Sequence, residues 1–194
     1  MLYQLVIGLF VARMPDINLQ GQVDYIKSHC YFLLILFCFW FMTEFFQFEA
    51  DFVESLRCIP MQVRCKLDTC GIKLKLSDWN HMTQVERQNL VELPCSTESE
   101  IQAYRKYIQD LILQRNGTPV GELPIESHPA WMDARTVPTS VHEKAQEVGI
   151  MITTEQWANL TPLQRFALIK LSRSGHENKN FVPALKEFNL LAKA

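Results

Sequence analysis

Shifting the chain by 78 positions lays residues 57–93 over residues 135–171 without a gap. Eleven pairs are identical: Arg57/Arg135, Pro60/Pro138, Val63/Val141, Lys66/Lys144, Gly71/Gly149, Ile72/Ile150, Trp79/Trp157, Thr83/Thr161, Arg87/Arg165, Leu90/Leu168 and Leu93/Leu171. Met82/Leu160, Ile59/Val137 and Leu74/Ile152 are similar pairs. The chain holds only 4 tryptophans, and two of them share one register, which makes coincidence a poor explanation. The match reads as an internal duplication. It constrains the fold more than any other feature, because a short repeat cannot bury its apolar face alone and must stack on a neighbour.

Each copy is punctuated as helices. Pro60 and Pro138 suit a first helical turn, where a missing N–H costs nothing. Gly71 and Gly149 suit the left-handed residue just past a helix end. After a short extended link, Ser77 or Thr154 is placed to cap a brief helix that carries the tryptophan. Thr83 with Glu86, and Thr161 with Gln164, form capping boxes for the next helix, and Pro162 favours its first position. Phe166 and Ala167 stand where the first copy has Gln88 and Asn89, so the second copy's helix is expected to be the more buried.

A further helix follows each copy. Thr97 and Glu100 make another capping box, and Ile101, Tyr104, Ile108, Leu111 and Ile112 supply an apolar stripe that stops at Asn116 and Gly117. The tail repeats the theme with Phe181, Leu185, Phe188 and Leu191. Residues 117–138 hold four of the 9 prolines, which marks a linker or an ordered wrap. Apart from residues 72–76 no useful strand pattern appears. The expected class is all-α: two copies of a helical repeat, each followed by a further helix, in one compact domain.

Residues 1–41 do not match the rest. The run YFLLILFCFWFM carries no charge but is short of the roughly twenty apolar residues a membrane span needs. No basic cluster precedes the segment and no small-residue cleavage site follows it, so it is a poor signal peptide. Its Phe, Leu, Ile and Tyr content is what translated AT-rich non-coding DNA gives. The reading is a mis-assigned start or non-domain segment, with Met42 opening the functional domain over 42–194; a membrane anchor or a buried helix are the alternatives.

Candidate chemistry is thin. The formal net charge of -2 leaves no cationic excess for phosphates, which disfavours nucleic-acid binding. Cys58, Cys65, Cys70 and Cys95 follow a spacing that matches neither zinc knuckles nor the usual iron–sulfur runs. Their second-copy counterparts are Thr136, Glu143, Val148 and Arg173, so the repeat does not depend on them. Reduced thiols in a cytosolic protein is the leading reading, and a metal or iron–sulfur site is the alternative. His81, His128, His142 and His176 are scattered, and no phosphate-binding, dinucleotide or serine-hydrolase loop occurs. No catalytic, cofactor or metal residue is assigned.

Trp79, Arg87, Trp157 and Arg165 remain as partner-binding candidates. One reading has each tryptophan anchor its short helix while the arginine meets a carboxylate or helix end. The other makes a pseudo-symmetric groove in which two arginines recognise an anionic partner.

The stretch FFQFEADFVESLRCIPMQVRCKLDTCGIKLKLSDWNHMTQVERQNLVELPC resembles the nitrate reductase-associated protein family, as do HPAWMDARTVPTSV and WANLTPLQRFALIKLS. The likeness spans about residues 45–190. Members are encoded beside genes for assimilatory nitrate reductase and molybdopterin biosynthesis in photosynthetic bacteria. The resemblance implies an accessory protein, without enzymatic activity or cofactor, for a molybdenum enzyme that takes electrons from ferredoxin. It implies as partners nitrate reductase and molybdenum-cofactor or ferredoxin-linked proteins, in the cytoplasm.

Overall fold

The computed structural model describes residues 45–173 and 179–191. The readings of residues 1–41 and of His176 fall outside them. A 3-10 turn, Gln47–Glu49, runs into α1, Ala50–Val53. There follow α2 (Met61–Thr69), β1 (Ile72–Lys73), α3 (Leu76–His81), α4 (Gln84–Glu92) and α5 (Glu98–Asn116). Then come β2 (Gly121–Glu122), α6 (Thr139–Glu147), α7 (Thr154–Ala158), α8 (Pro162–Ser172) and α9 (Phe181–Glu187). The described chain is mostly helical, with one small antiparallel ladder of β1 and β2.

Local chemistry explains most helix ends. Thr83, Thr97 and Thr161 each accept from the backbone N–H three residues on, while Glu86, Glu100 and Gln164 reach back to the cap. Each reciprocal pair satisfies two donors that a helix start leaves orphaned. Gly117 ends α5 in the left-handed conformation, at φ 66. Two expected caps are displaced. Ser77 lies inside α3, whose cap position, Lys75, gives no side-chain bond. Thr153, not Thr154, caps α7, with Gln156 completing the box. Pro60 and Pro138 sit at the cap rather than in the first turn, in extended conformation. Their carbonyls accept from Arg64 and His142.

Two apolar cores form within the described residues. One gathers Leu56, Val63, Leu67, Ile72, Trp79, Leu90, Tyr104, Ile108 and Val120 around α2 to α5. The other gathers Val141, Ala145, Trp157, Phe166, Leu168, Phe181 and Leu185 around α6 to α9. Helix α2 serves both: Met61 enters the second core while Val63 and Leu67 fill the first. An ion pair, Lys170 to Asp68 at 2.6 Å, joins α8 to α2 across the junction. Helix α8 packs on α2, α6 and α9 and buries Arg165, Phe166, Ala167, Leu168, Ile169 and Leu171. Helix α4, which the 78-position shift aligns with it, buries only Leu90 and Val91. A helix apolar around most of its circumference belongs in the middle of a bundle, and α8 takes that place.

The proline-rich stretch between the cores is an ordered wrap. Val120 is buried in the first core, Gly121 and Glu122 pair with Lys73 and Ile72, and the Leu123 N–H donates to the Gly71 carbonyl at 2.9 Å. Arg105 on α5 braces it by donating to the Cys70 carbonyl at 2.6 Å and to Glu122. Further on, the Trp131 ring meets Phe166 edge to face at 5.2 Å in the second core.

Candidate functional site

The four residues singled out by the repeat are brought together two by two. Trp79 and Trp157 are each completely buried. A buried indole needs a partner for its N–H, and each finds a backbone carbonyl one helix further back, ahead of α2 and of α6. Trp79 Nε1 donates to Leu56 at 2.7 Å, and Trp157 Nε1 donates to Asp133 at 2.9 Å. Arg87 then donates to the carbonyls of Trp79 (3.1 Å), Asn80 (3.0 Å) and Leu56 (3.2 Å), with its guanidinium over the Trp79 ring. Arg165 donates to the carbonyls of Trp131 at 2.8 Å and Leu160 at 2.6 Å.

Each arginine is a multi-point staple on the end of a tryptophan helix and on the loop that the indole also holds. Helix ends expose carbonyls with partial negative charge, which a planar fork of donors satisfies well. Arg165 is only 5% exposed. Burial pulls its pKa down, and the charge of Asp133 opposes that. The two pairs belong to different cores. The guanidinium donors of both arginines serve backbone carbonyls within their own halves of the chain.

Among the described residues the four cysteines are free thiols, with Cys70 buried and Cys58, Cys65 and Cys95 half-buried. Burial pushes Cys65 and Cys70 up to about 12 and Cys95 to about 11. Among the described residues, no group of three or more His, Cys, Asp or Glu is arranged to hold a metal ion. Lys66, amid these thiols, instead donates to the carbonyls of Val91 and Leu93, both at 2.7 Å, and closes the end of α4.

Sequence reasoning missed Glu49. It is 2% exposed and lines a cleft of about 690 Å³ with Phe48, Phe52, Arg57, Cys58 and Arg64. Its carboxylate accepts from the N–H of Met61 at 2.8 Å and of Phe46 at 3.3 Å. Glu187 on α9 holds the same segment, accepting from Gln47 at 2.8 Å and Phe48 at 3.2 Å. Burial raises Glu49 to about 7, helped by the negative Glu187; the two N–H bonds and the positive Arg64 pull the other way. The available signal was an acid set among Phe46, Phe48 and Phe52, but nothing in that pattern says it points inward.

A raised carboxyl pKa has a definite linkage sign. The folded state holds the Glu49 proton up to about pH 7, whereas the unfolded chain releases it near 4.5. Its contribution is therefore complete below pH 4.5 and is lost as pH rises through 7, to the extent of about 3 kcal/mol. Thermal melts of the wild type should show Tm falling between pH 5 and 8, and Glu49→Gln should flatten that slope. Parallel slopes in the two proteins would contradict the assignment.

The described residues form a mostly helical domain with two joined cores, its paired tryptophans and arginines held in internal clamps. The chain belongs to the family of conserved nitrate reductase-associated proteins, whose profile matches residues 45–188. Neither the curated proteins nor the solved structures gave a match. Among the described residues, no helix is long and apolar enough to cross a membrane.

Proposed function

We propose that this chain is a non-enzymatic accessory protein required for active assimilatory nitrate reductase. It acts by protein contact, in enzyme maturation, molybdenum-cofactor insertion or electron-donor docking, and its setting is the cytoplasm. The observation that carries this reading is the family match over residues 45–188, which takes in both cores. The internal chemistry is compatible with it: burial pushes the Cys65, Cys70 and Cys95 thiols up, and the arginines tie loops to helices. Trp79, Arg87, Trp157 and Arg165 serve partner binding indirectly, by fixing the shape of the surface that meets the enzyme.

The same reading treats the two cores as copies of one unit. Helices α2 and α6, Met61–Thr69 and Thr139–Glu147, have bounds that differ by the 78 positions of the sequence match. The glycines after them have φ 70 and φ 75. Each following tryptophan helix is clamped from behind by an arginine. Molybdenum-cofactor or ferredoxin-linked proteins are the further partners this role brings into reach.

Deleting the gene tests the role. Nitrate reductase activity should be lost even with an artificial reductant. Low molybdenum in the enzyme then assigns the step to cofactor loading, and normal molybdenum to a later assembly step. Activity that survives with the artificial reductant but fails with the physiological donor assigns it to electron delivery. Full activity with both donors refutes the accessory role.

A further inference from the structure

We infer that residues 46–53 form a pH-gated strap, which ionisation of Glu49 lifts off the second core while both cores stay folded.

The strap is tied down by its backbone amides, and the ties are carboxylates. Glu49 accepts from Phe46 within the strap at 3.3 Å and from Met61, at the start of α2, at 2.8 Å. Glu187 on α9 accepts from Gln47 at 2.8 Å and from Phe48 at 3.2 Å. Pro60, at the cap of α2, offers no side-chain bond, so Glu49 takes over the orphaned Met61 donor. Three rings close over these ties. Phe46 stacks on Phe48 at 5.1 Å and meets Phe188 edge to face at 5.1 Å.

The rest of the strap is lightly held, and its far end is fixed. Helix α1 buries no residue, and the 3-10 turn before it packs on α9. Leu56, 1% exposed, takes a left-handed φ of 48, unusual for a bulky side chain. Its carbonyl is clamped by Trp79 at 2.7 Å and Arg87 at 3.2 Å. Leu56 belongs to the first core and Phe46 to the second. A swing of the strap about this clamped residue therefore leaves the first core undisturbed.

The site suits a neutral Glu49 and not an ionised one. At 2% exposure among phenylalanines, a carboxylate loses its hydration. Arg64 on α2 offsets part of that charge, whereas Glu187 on α9 sets a second negative charge against it. The other charged groups of the adjoining cleft are Lys179 and Asp51, the latter paired with Arg57 at 3.2 Å. Lifting the strap returns Glu49 to water and bares Met61 and Phe188. Ionisation and opening thus favour each other: the strap is closed in acid and loosens as pH rises.

Hydrogen exchange of the full chain between pH 5 and 8, corrected for the intrinsic rate, tests this. Glu49 gives up its proton near 4.5 when free and near 7 under the strap, so the open population should rise about 70-fold across that range and level off above pH 7. The amides that report it are Phe46, Gln47, Phe48 and Met61. Dilute urea should speed exchange at Tyr104 and Leu168, deep in the two cores, and leave the strap amides unchanged, because a local opening exposes little surface. Glu49→Gln keeps the acceptor for Met61 but cannot ionise, and should abolish the rise. Glu187→Gln removes the repulsion and should shrink the rise and move it to lower pH; it carries the test should Glu49→Gln fail to fold. Strap protection that stays constant with pH overturns the switch. So does a rise that persists in Glu49→Gln, or strap exchange that follows urea as the cores do.

Discussion

Arg165→Met should cost about 3 kcal/mol of folding stability, measured by urea denaturation, while Arg87→Met should cost about 1 kcal/mol. The two side chains are equivalent in the sequence match and both clamp the end of a tryptophan helix. What separates them is water. Arg165 is 5% exposed, and its removal strands the carbonyls of Trp131 and Leu160 in an apolar setting, each a lost partner worth about 1–3 kcal/mol. Arg87 is half-buried, and Asn80 lies at an exposed position where water can replace the guanidinium. A shared, equal loss at both sites would mean that the Arg165 carbonyls find other donors. If either arginine were a docking residue instead, its variant would lose reductase binding with stability intact.

Gly71→Ala should destabilise the protein by about 3 kcal/mol or more, and Gly149→Ala by about 1–2 kcal/mol. Both glycines are left-handed, so both substitutions meet the same backbone penalty of about 1–2 kcal/mol. Gly71 adds a second penalty. A Cβ there would stand 2.6 Å from Ile125 Cγ1 and 2.9 Å from the Leu123 carbonyl oxygen, so the wrap itself must lift. Gly149 faces open space. Chemical denaturation of the two variants measures the difference, and hydrogen exchange at Leu123 should rise only in Gly71→Ala. Equal costs at the two sites would show that the wrap gives way freely.

The sequence made the helical punctuation legible because capping is local. Thr83, Thr97 and Thr161 each carry their partner three residues on, and no distant contact was needed to recognise them. The displaced caps show the limit of the same logic. Thr153 and Thr154 are adjacent and chemically identical, and only the backbone decides which one turns its oxygen inward. β2 was invisible for a different reason: two residues have no period, and Gly121 is there for a close approach to Lys73 from far along the chain. The stapling arginines were readable as a pair, but their acceptors are backbone carbonyls, which every residue carries. Glu49 escaped because its burial is decided by Met61, Phe46 and Glu187 together, and no spacing encodes that meeting.

Helix α2 gives Met61 to one core and Val63 and Leu67 to the other. Neither half of the chain therefore owns a complete interior. Severed anywhere in the wrap between them, the carboxy-terminal piece would lack Met61 and Phe46, and the amino-terminal piece would bare the flank of α2 on which α8 rests. Heat or denaturant meets one cooperative body.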